Sequence, residues 1–221
     1  MSLRGAIRAL RWRTEVLVAR TPRLPRGGPR LQASFEGPIV GVDVETACSE
    51  RGAVCSIGVS IVARGAVVRE RQWFVDPKTR FDPRFIAIHG IEPHAVRGQP
   101  SLVEVWPEVC RFTSDAVLAA QQPSLFSRVE AESLQEIPAL YVAHNAQFDR
   151  MQIEGALQTP LPFRLACTVA MSRRAFPALS RHNLATVAAH LRIQLQHHDA
   201  LSDARACALI AHQCIVRGRG N

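Results

Sequence analysis

The chain predicts an α/β domain with a central mixed sheet of five strands, an antiparallel meander plus parallel strands, flanked by helices. Three observations carry that expectation. From Pro38 onward, runs of Val, Ile and Ala interrupted by Gly follow one another, as in strands buried on both faces. Two such runs meet at Arg64 and Gly65, turn residues that join neighbouring strands into a meander. The short apolar run LYVAHN then passes directly into AQFDRMQIEGALQ, the strand-to-helix order of a parallel α/β unit. With 221 residues, 47% hydrophobic and 21% charged, the chain is long enough for one soluble domain with a sizeable core and an extension.

IVGVDVE reads as the first strand, and AVCSIGVSIV and VVRERQWFV complete the meander. Period-two geometry places Asp43 and Glu45 on one face of the first strand and Val42 and Val44 on the other. DPKTRFDPRFIAIHGIEPHAV reads as a loop and short helix, followed by a helix over 102–112. LYVAHN is the fourth strand, and ligands of open α/β sheets gather at such carboxyl ends. FRLACT is the fifth, followed by helices over 169–176, 184–191 and 199–216. In the last of these, Ala204, Cys207, Ala208 and Ala211 form the stripe of a helix packed on a sheet. Residues 114–138 are polar and longer than the connection requires, which reads as an insertion of the lid, partner-surface or disordered kind.

The net charge of +8 is unevenly placed, because residues 1–36 hold eight Arg against Glu15 and Glu36. The domain proper, residues 37–217, is nearly neutral, so it must grip a polyanion through local contacts rather than a broad basic face. The extension, residues 1–36, reads as a short basic helix and a Pro, Gly and Arg loop, flexible in the sense of lacking a core. It fits a nucleic-acid-gripping arm, a mitochondrial targeting peptide or an irregular terminus. Residues 218–221 read as a tail. Cys48, Cys55, Cys110, Cys167, Cys207 and Cys214 contain no C-x-x-C pair and sit in apolar runs, as small buried side chains do in a reducing, cytoplasmic setting. The Arg-rich N terminus leaves a mitochondrial destination open. No apolar run approaches the length of about 18 residues that spans a bilayer, so no membrane association is expected.

Three acidic stretches carry the chemistry: Asp43 and Glu45 in VDVET, Asp149 in AHNAQFDR, and His198 with Asp203 in HHDALSDA. Asp43 and Glu45 lie inside an apolar strand, where unpaired acids are costly. Two like charges ~5 Å apart at an effective dielectric near 20 repel by about 3 kcal/mol, so a cluster of four stays ionised only beside cations. Oxygen ligands suit Mg²⁺ or Mn²⁺, and a pair of such ions is the usual apparatus for phosphodiester hydrolysis.

VDVETA, HGI at 89–91, AHNAQFD and HDALSDA together resemble, in order and spacing, the DEDDh (DnaQ-like) 3′-to-5′ exonucleases. That superfamily includes the proofreading subunit of bacterial replicases, RNase T and oligoribonuclease. The resemblance implies a ribonuclease-H-like fold, with Asp43, Glu45, Asp149 and Asp203 holding two divalent ions, Mg²⁺ or a substituting Mn²⁺, and His198 as general base. It implies hydrolysis from the 3′ end of single-stranded or frayed nucleic acid with release of nucleoside 5′-monophosphates, of the DNA proofreading or repair type. An RNA-end-trimming or oligoribonuclease-like enzyme and a non-catalytic nuclease-like binding module are the alternatives. A DNA polymerase is one partner the resemblance allows, although no polymerase- or clamp-binding motif is evident; the oligomeric state stays open.

His197 adjoins His198, and the H-x-x-x-x-D register favours the latter as base. Asn145 is expected either to hydrogen-bond the scissile nucleotide or to cap the following helix. His89 with Gly90 and Ile91 fits either a surface for the terminal base and sugar or a helix C-cap. Thr46, next to the metal acids, is expected either to meet the terminal 3′ hydroxyl through its backbone or to serve a structural role through its side chain. Phe148 is expected in the core, and His94, His182, His190 and His212 are expected to have no catalytic role.

Overall fold

The computed structural model describes residues 35–121 and 139–219. The sheet has five strands in the order β3-β2-β1-β4-β5. They are β1 (Ile39–Thr46), β2 (Val54–Ala63), β3 (Ala66–Phe74), β4 (Leu140–Ala143) and β5 (Ala166–Cys167). β1, β2 and β3 pair antiparallel, while β4 and β5 add in parallel. The helices are α1 (Pro83–His89), α2 (Pro93–Val96), α3 (Leu102–Gln121), α4 (Ala146–Leu157), α5 (Thr168–Ala175), α6 (Leu184–His190) and α7 (Ala200–Arg219). Mixed sheet, meander and flanking helices are as the sequence predicts, and none of these helices is long and apolar enough to cross a membrane.

Alternation along β1 divides the core. Val40, Val42 and Val44 pack with Ile57, Val59 and Ile61 of β2 against Val105, Val109 and Phe112 of α3 and Ile153 of α4. On the opposite face, Met171, Val187, Ala208 and Ala211 of α5, α6 and α7 form the second layer. α7 lies unusually close to the sheet because Gly41 and Gly58 have no side chain. A Cβ at either position would overlap the carbonyl oxygen of Ala204 or Ala200. Arg205 of α7 then pins the helix to β3, its guanidinium meeting both Glu70 oxygens at 2.7 Å.

Three boundaries and the exposure of one strand differ from expectation. The helix predicted over 102–112 runs to Gln121, because Thr113 and Ala116 continue the buried stripe of Val105, Val109 and Phe112. Residues 114–121 are therefore helix rather than insertion, and the remaining part of that expectation, 122–138, lies outside the described residues. FRLACT pairs only through Ala166 and Cys167, because Phe163 stacks on Tyr141 at 4.0 Å instead of entering the ladder. β3 is an edge strand and mostly exposed, not buried on both faces. Its Arg69 and Arg71 lie over the rings of Phe112 and Trp73 at 4.5 and 5.0 Å, and charge of this kind blunts an open edge. Finally, α7 continues through Arg219, two residues into the predicted tail; the basic extension up to residue 34 lies outside the described residues.

Candidate active site

Asp43 and Glu45 project from the face of β1 that α7 covers, opposite Gly58 and Ser56 of β2. Those small partners leave room for two carboxylates. Because α7 enters over Gly58, its first turn delivers Asp203 to the same place. One oxygen each from Asp43, Glu45 and Asp203 lie within 4.8 Å of one another.

Asp149 arrives from the other side, in the first turn of α4. β4 stops pairing with β1 at Gly41, so the Val44 N–H beyond it is left for a side chain. Asp149 Oδ1 accepts that N–H at 3.3 Å. The four predicted carboxylates thus meet at the carboxyl end of β1. Asp149 and Asp203 occupy equivalent positions in the first turns of their helices, where the helix dipole favours an anion.

The cluster holds more negative charge than it neutralises. Burial, then Asp149, Asp203, Glu45 and Asp199, pushes the Asp43 carboxyl well above the usual range. Burial followed by Asp203 and Asp149 lifts Glu45 to about 8. Burial lifts Asp149 to about 7 against the backbone N–H groups that it accepts, and burial also raises Asp203. Asp149 Oδ2 and Asp203 Oδ1 are buried without a hydrogen-bond partner. Orphaned anionic oxygens converging with two further carboxylates are an all-oxygen donor set, which fits Mg²⁺ or Mn²⁺ and not a thiolate-seeking metal.

The histidines are arranged differently from the register argument. His197, not His198, places its ring on Asp203, with Nδ1 3.0 Å from Oδ2. His198 donates only its backbone N–H to that oxygen, at 3.1 Å, and adopts a left-handed backbone with φ of 68°. Its ring stacks on His197 at 3.9 Å and makes no hydrogen bond to the described residues. Burial and the neighbouring His197 hold the His198 imidazole below its ordinary pKa, with Asp203 opposing.

His89 ends α1, and Gly90 behind it is the left-handed C-cap. The capping alternative is observed, and the His89 ring leaves the helix to meet the backbone of Thr46 and Ile91. Nδ1 accepts the Ile91 N–H at 2.9 Å, so Nε2 carries the proton and donates to the Thr46 carbonyl at 3.1 Å. Thr46 itself is buried beside a register shift in the β1–β2 ladder. Burial lowers the His89 pKa, with the bond to the Thr46 carbonyl opposing and His198 adding a smaller lowering. Asn145 precedes α4 in a left-handed conformation, φ 67°, but its side chain makes no capping bond. It faces a cavity of about 530 Å³.

Three site features escaped the sequence reading. Asp199 caps α7, accepting the Ser202 N–H at 2.8 Å, and adds its charge to Asp43 and Glu45; an Asp directly before a helix was the signal. His197 was named only as an alternative. Phe148 is not core: it is exposed on the turn that carries Asp149, because the buried face of α4 is set by Ala146, Asp149 and Ile153. The cysteines follow expectation at Cys48, Cys55, Cys207 and Cys214, whereas Cys110 and Cys167 are half-buried; all six are free thiols.

Comparison with known proteins agrees with this geometry. The RNase T exonuclease family model matches residues 40–211. A DNA polymerase III of the PolC type from Clostridium perfringens is 30% identical over 189 residues, covering 81% of this chain and 11% of the polymerase. Exodeoxyribonuclease 10 of Escherichia coli K12 is 28% identical over 167 residues, covering 73% of this chain and 61% of that protein. The chain thus spans a small part of the first relative and less than two thirds of the second. Among solved structures, exonuclease X in complex with 5′ overhanging duplex DNA superimposes with a TM-score of 0.58 at 21% identity, over 83% of this chain and 93% of that one. The nuclease domain of 3′hExo, a DEDDh family member bound to rAMP, gives 0.59 at 17% identity, over 80% and 91%. Both share the fold, which is ribonuclease-H-like. This chain belongs to the RNase T exonuclease family, and with it to the DEDDh superfamily of 3′-to-5′ exonucleases.

Proposed function

We propose that the protein is a metal-dependent 3′-to-5′ exonuclease acting on single-stranded or frayed DNA ends and releasing nucleoside 5′-monophosphates. The observation that carries the reading is the convergence of Asp43, Glu45 and Asp203 within 4.8 Å, with the unpartnered Oδ2 of Asp149 from a third element. Asp43, Glu45, Asp149 and Asp203 would hold two divalent cations, Mg²⁺ with Mn²⁺ as substitute. When bound, these supply an activated water and neutralise charge on the departing 3′ oxygen.

The chain's own residues account for the rest. His198, held neutral near pH 7 by burial and by His197, accepts the proton of the attacking water. His197 positions Asp203 by occupying Oδ2. The His89 ring locks the Thr46 carbonyl and so fixes the surface that meets the terminal sugar. Phe148, exposed beside Asp149, offers a ring face for the terminal base.

DNA is favoured over RNA because the curated relatives are named as a DNA polymerase and an exodeoxyribonuclease. The first name also raises proofreading beside a polymerase as a context, and the second repair-type digestion. The presence of all five catalytic groups speaks against a module that only binds. Matched 3′-tailed DNA and RNA oligomers incubated with Mg²⁺, Mn²⁺ or EDTA decide the matter. A ladder of single-nucleotide steps from the 3′ end, faster on DNA and absent with EDTA, is expected. Internal fragments or metal-independent cleavage would overturn the reading.

A further inference from the structure

Asp203 belongs to two groups of side chains. Among the described residues, Asp43, Glu45 and Asp203 bring one oxygen each within 4.8 Å of one another, and His197, His198 and Asp203 bring one ligand atom each within the same distance. The first group is all oxygen and serves the hydrolysis proposed above. The second offers two imidazoles and a carboxylate, although taking one proton from water needs only one imidazole. The oxygens of Asp203 are used separately: Oδ2 faces His197, while the buried Oδ1 has no hydrogen-bond partner and is left to the carboxylates.

The two groups suit different ions. Mg²⁺ takes oxygen ligands and gives up its waters reluctantly. Imidazole suits Zn²⁺, for which two His, one carboxylate and a water make a four-coordinate site. Ligand atoms on neighbouring bonds of about 2.1 Å stand about 3.0–3.4 Å apart, from square to tetrahedral angles. His197 Nδ1 and Asp203 Oδ2 are 3.0 Å apart, so the pair already has the spacing of two ligands on one ion. The His198 N–H lies 3.1 Å from both atoms, and it stays with the Asp203 oxygen when Nδ1 turns its lone pair to a cation.

His198 completes the set by turning its ring. The two imidazoles now stack with 12° between their planes, and lone pairs in parallel planes do not meet at one ion. The exposed His198 ring makes no hydrogen bond to the described residues, while its main chain is held separately by the N–H on Asp203. Rotation of the side chain alone therefore opens the stack. We propose that His197, His198 and Asp203 Oδ2 form an inhibitory Zn²⁺ site beside the Mg²⁺ pair. Zinc engages the His198 lone pair that would take the water proton, and it leaves Asp203 Oδ1 to the pair. Binding stands on these three residues alone; the inhibition rests on the exonuclease reading.

The test uses the full chain in excess Mg²⁺. Zinc K-edge absorption fine structure counts imidazoles by their outer-shell scattering, and competition with a chromogenic chelator gives the Kd for Zn²⁺. Wild type should bind Zn²⁺ through two imidazoles. His197→Ala should raise the zinc Kd at least about tenfold, the lower end of what losing a group around a bound metal costs. Asp43→Asn, which disarms the carboxylate pair, should keep the zinc Kd and both imidazoles. In hydrolysis of a 3′-tailed oligomer, zinc should inhibit with a midpoint near its Kd that does not move as Mg²⁺ is raised. His197→Ala, scored against its own zinc-free rate, should shift that midpoint upward by the same factor as the Kd. A zinc spectrum without imidazole, or binding lost in Asp43→Asn and kept in His197→Ala, would overturn the site. Bound zinc with an unchanged rate, or inhibition relieved in proportion to Mg²⁺, would overturn the inhibition through His198. Wild type inactive with every metal would refute the exonuclease reading, while the spectrum and the Kd series would still decide whether the zinc site exists.

Discussion

Asp149 accepts the Val44 N–H through Oδ1 at 3.3 Å and leaves Oδ2 buried and unpartnered. The bond locks the first turn of α4 to β1 just past the end of β4. It thereby holds one uncompensated oxygen buried in the cluster, where the Asp149 charge helps push the Asp43 carboxyl up. A carboxylate used only for structure would satisfy both oxygens.

Charge, rather than shape, is what this site supplies. Asp43→Asn and Asp149→Asn preserve volume and remove an anion, and each should lower kcat at least 10²–10³-fold, the cost of deleting one preorganised electrostatic group. Steady-state rates on a 3′-tailed oligomer check this. Activity within a few-fold of wild type in both would remove the metal reading.

Stability should depend on pH in an unusual sense when metal is absent. Glu45 and Asp149, raised to about 8 and about 7, keep their protons in the folded state where the unfolded chain has lost them. Their contribution is complete below about pH 4 and declines as pH rises through 7 to 8. Melting in EDTA should therefore fall over this range, and Mn²⁺ should raise Tm more at pH 8 than at pH 6. A Mn²⁺ increment equal at both values, or larger at pH 6, would contradict the linkage.

The two adjacent imidazoles separate by readout. His198→Ala should lower kcat and flatten the acid limb of the pH–rate profile while leaving the Mn²⁺-induced rise in Tm near wild type. His197→Ala should weaken that rise, because Asp203 loses the ring that holds Oδ2. Reversal of the two effects in paired melting and kinetic measurements would exchange the roles.

Gly58 tests how the backbone delivers an acid. Gly58→Ala places a methyl against the Ala200 carbonyl and must lift the first turn of α7. A loss of about 1–3 kcal/mol is expected, as for other overpacked sites, with activity falling further than stability because Asp203 rides on that turn. Denaturant unfolding and rates measured on the fraction still folded check both parts.

Much of this was legible because period-two alternation in IVGVDVE determines which side of β1 carries the acids, whatever lies above them. The convergence with Asp149 and Asp203 was legible only through the resemblance of the motifs. The choice of ring on Asp203 was not legible, since it depends on the left-handed turn at His198, and two neighbouring His residues give no local signal for which one turns inward. Phe148 was misplaced because α4 presents Ala146, Asp149 and Ile153 to the protein, a face set by a buried acid that apolar periodicity overlooks. The extent of α3 was hidden for a similar reason: Ser114 and Thr113 look polar in sequence, yet their hydroxyls bond back to Cys110 and Val109 and leave the helix intact.

Anomalous diffraction from crystals grown with Mn²⁺ addresses the cation pair without relying on turnover. Two peaks bounded by Asp43, Glu45, Asp149 and Asp203, both lost in Asp43→Ala, are the predicted result. A single peak on His197, His198 and Asp203, or none among the four carboxylates, would contradict it.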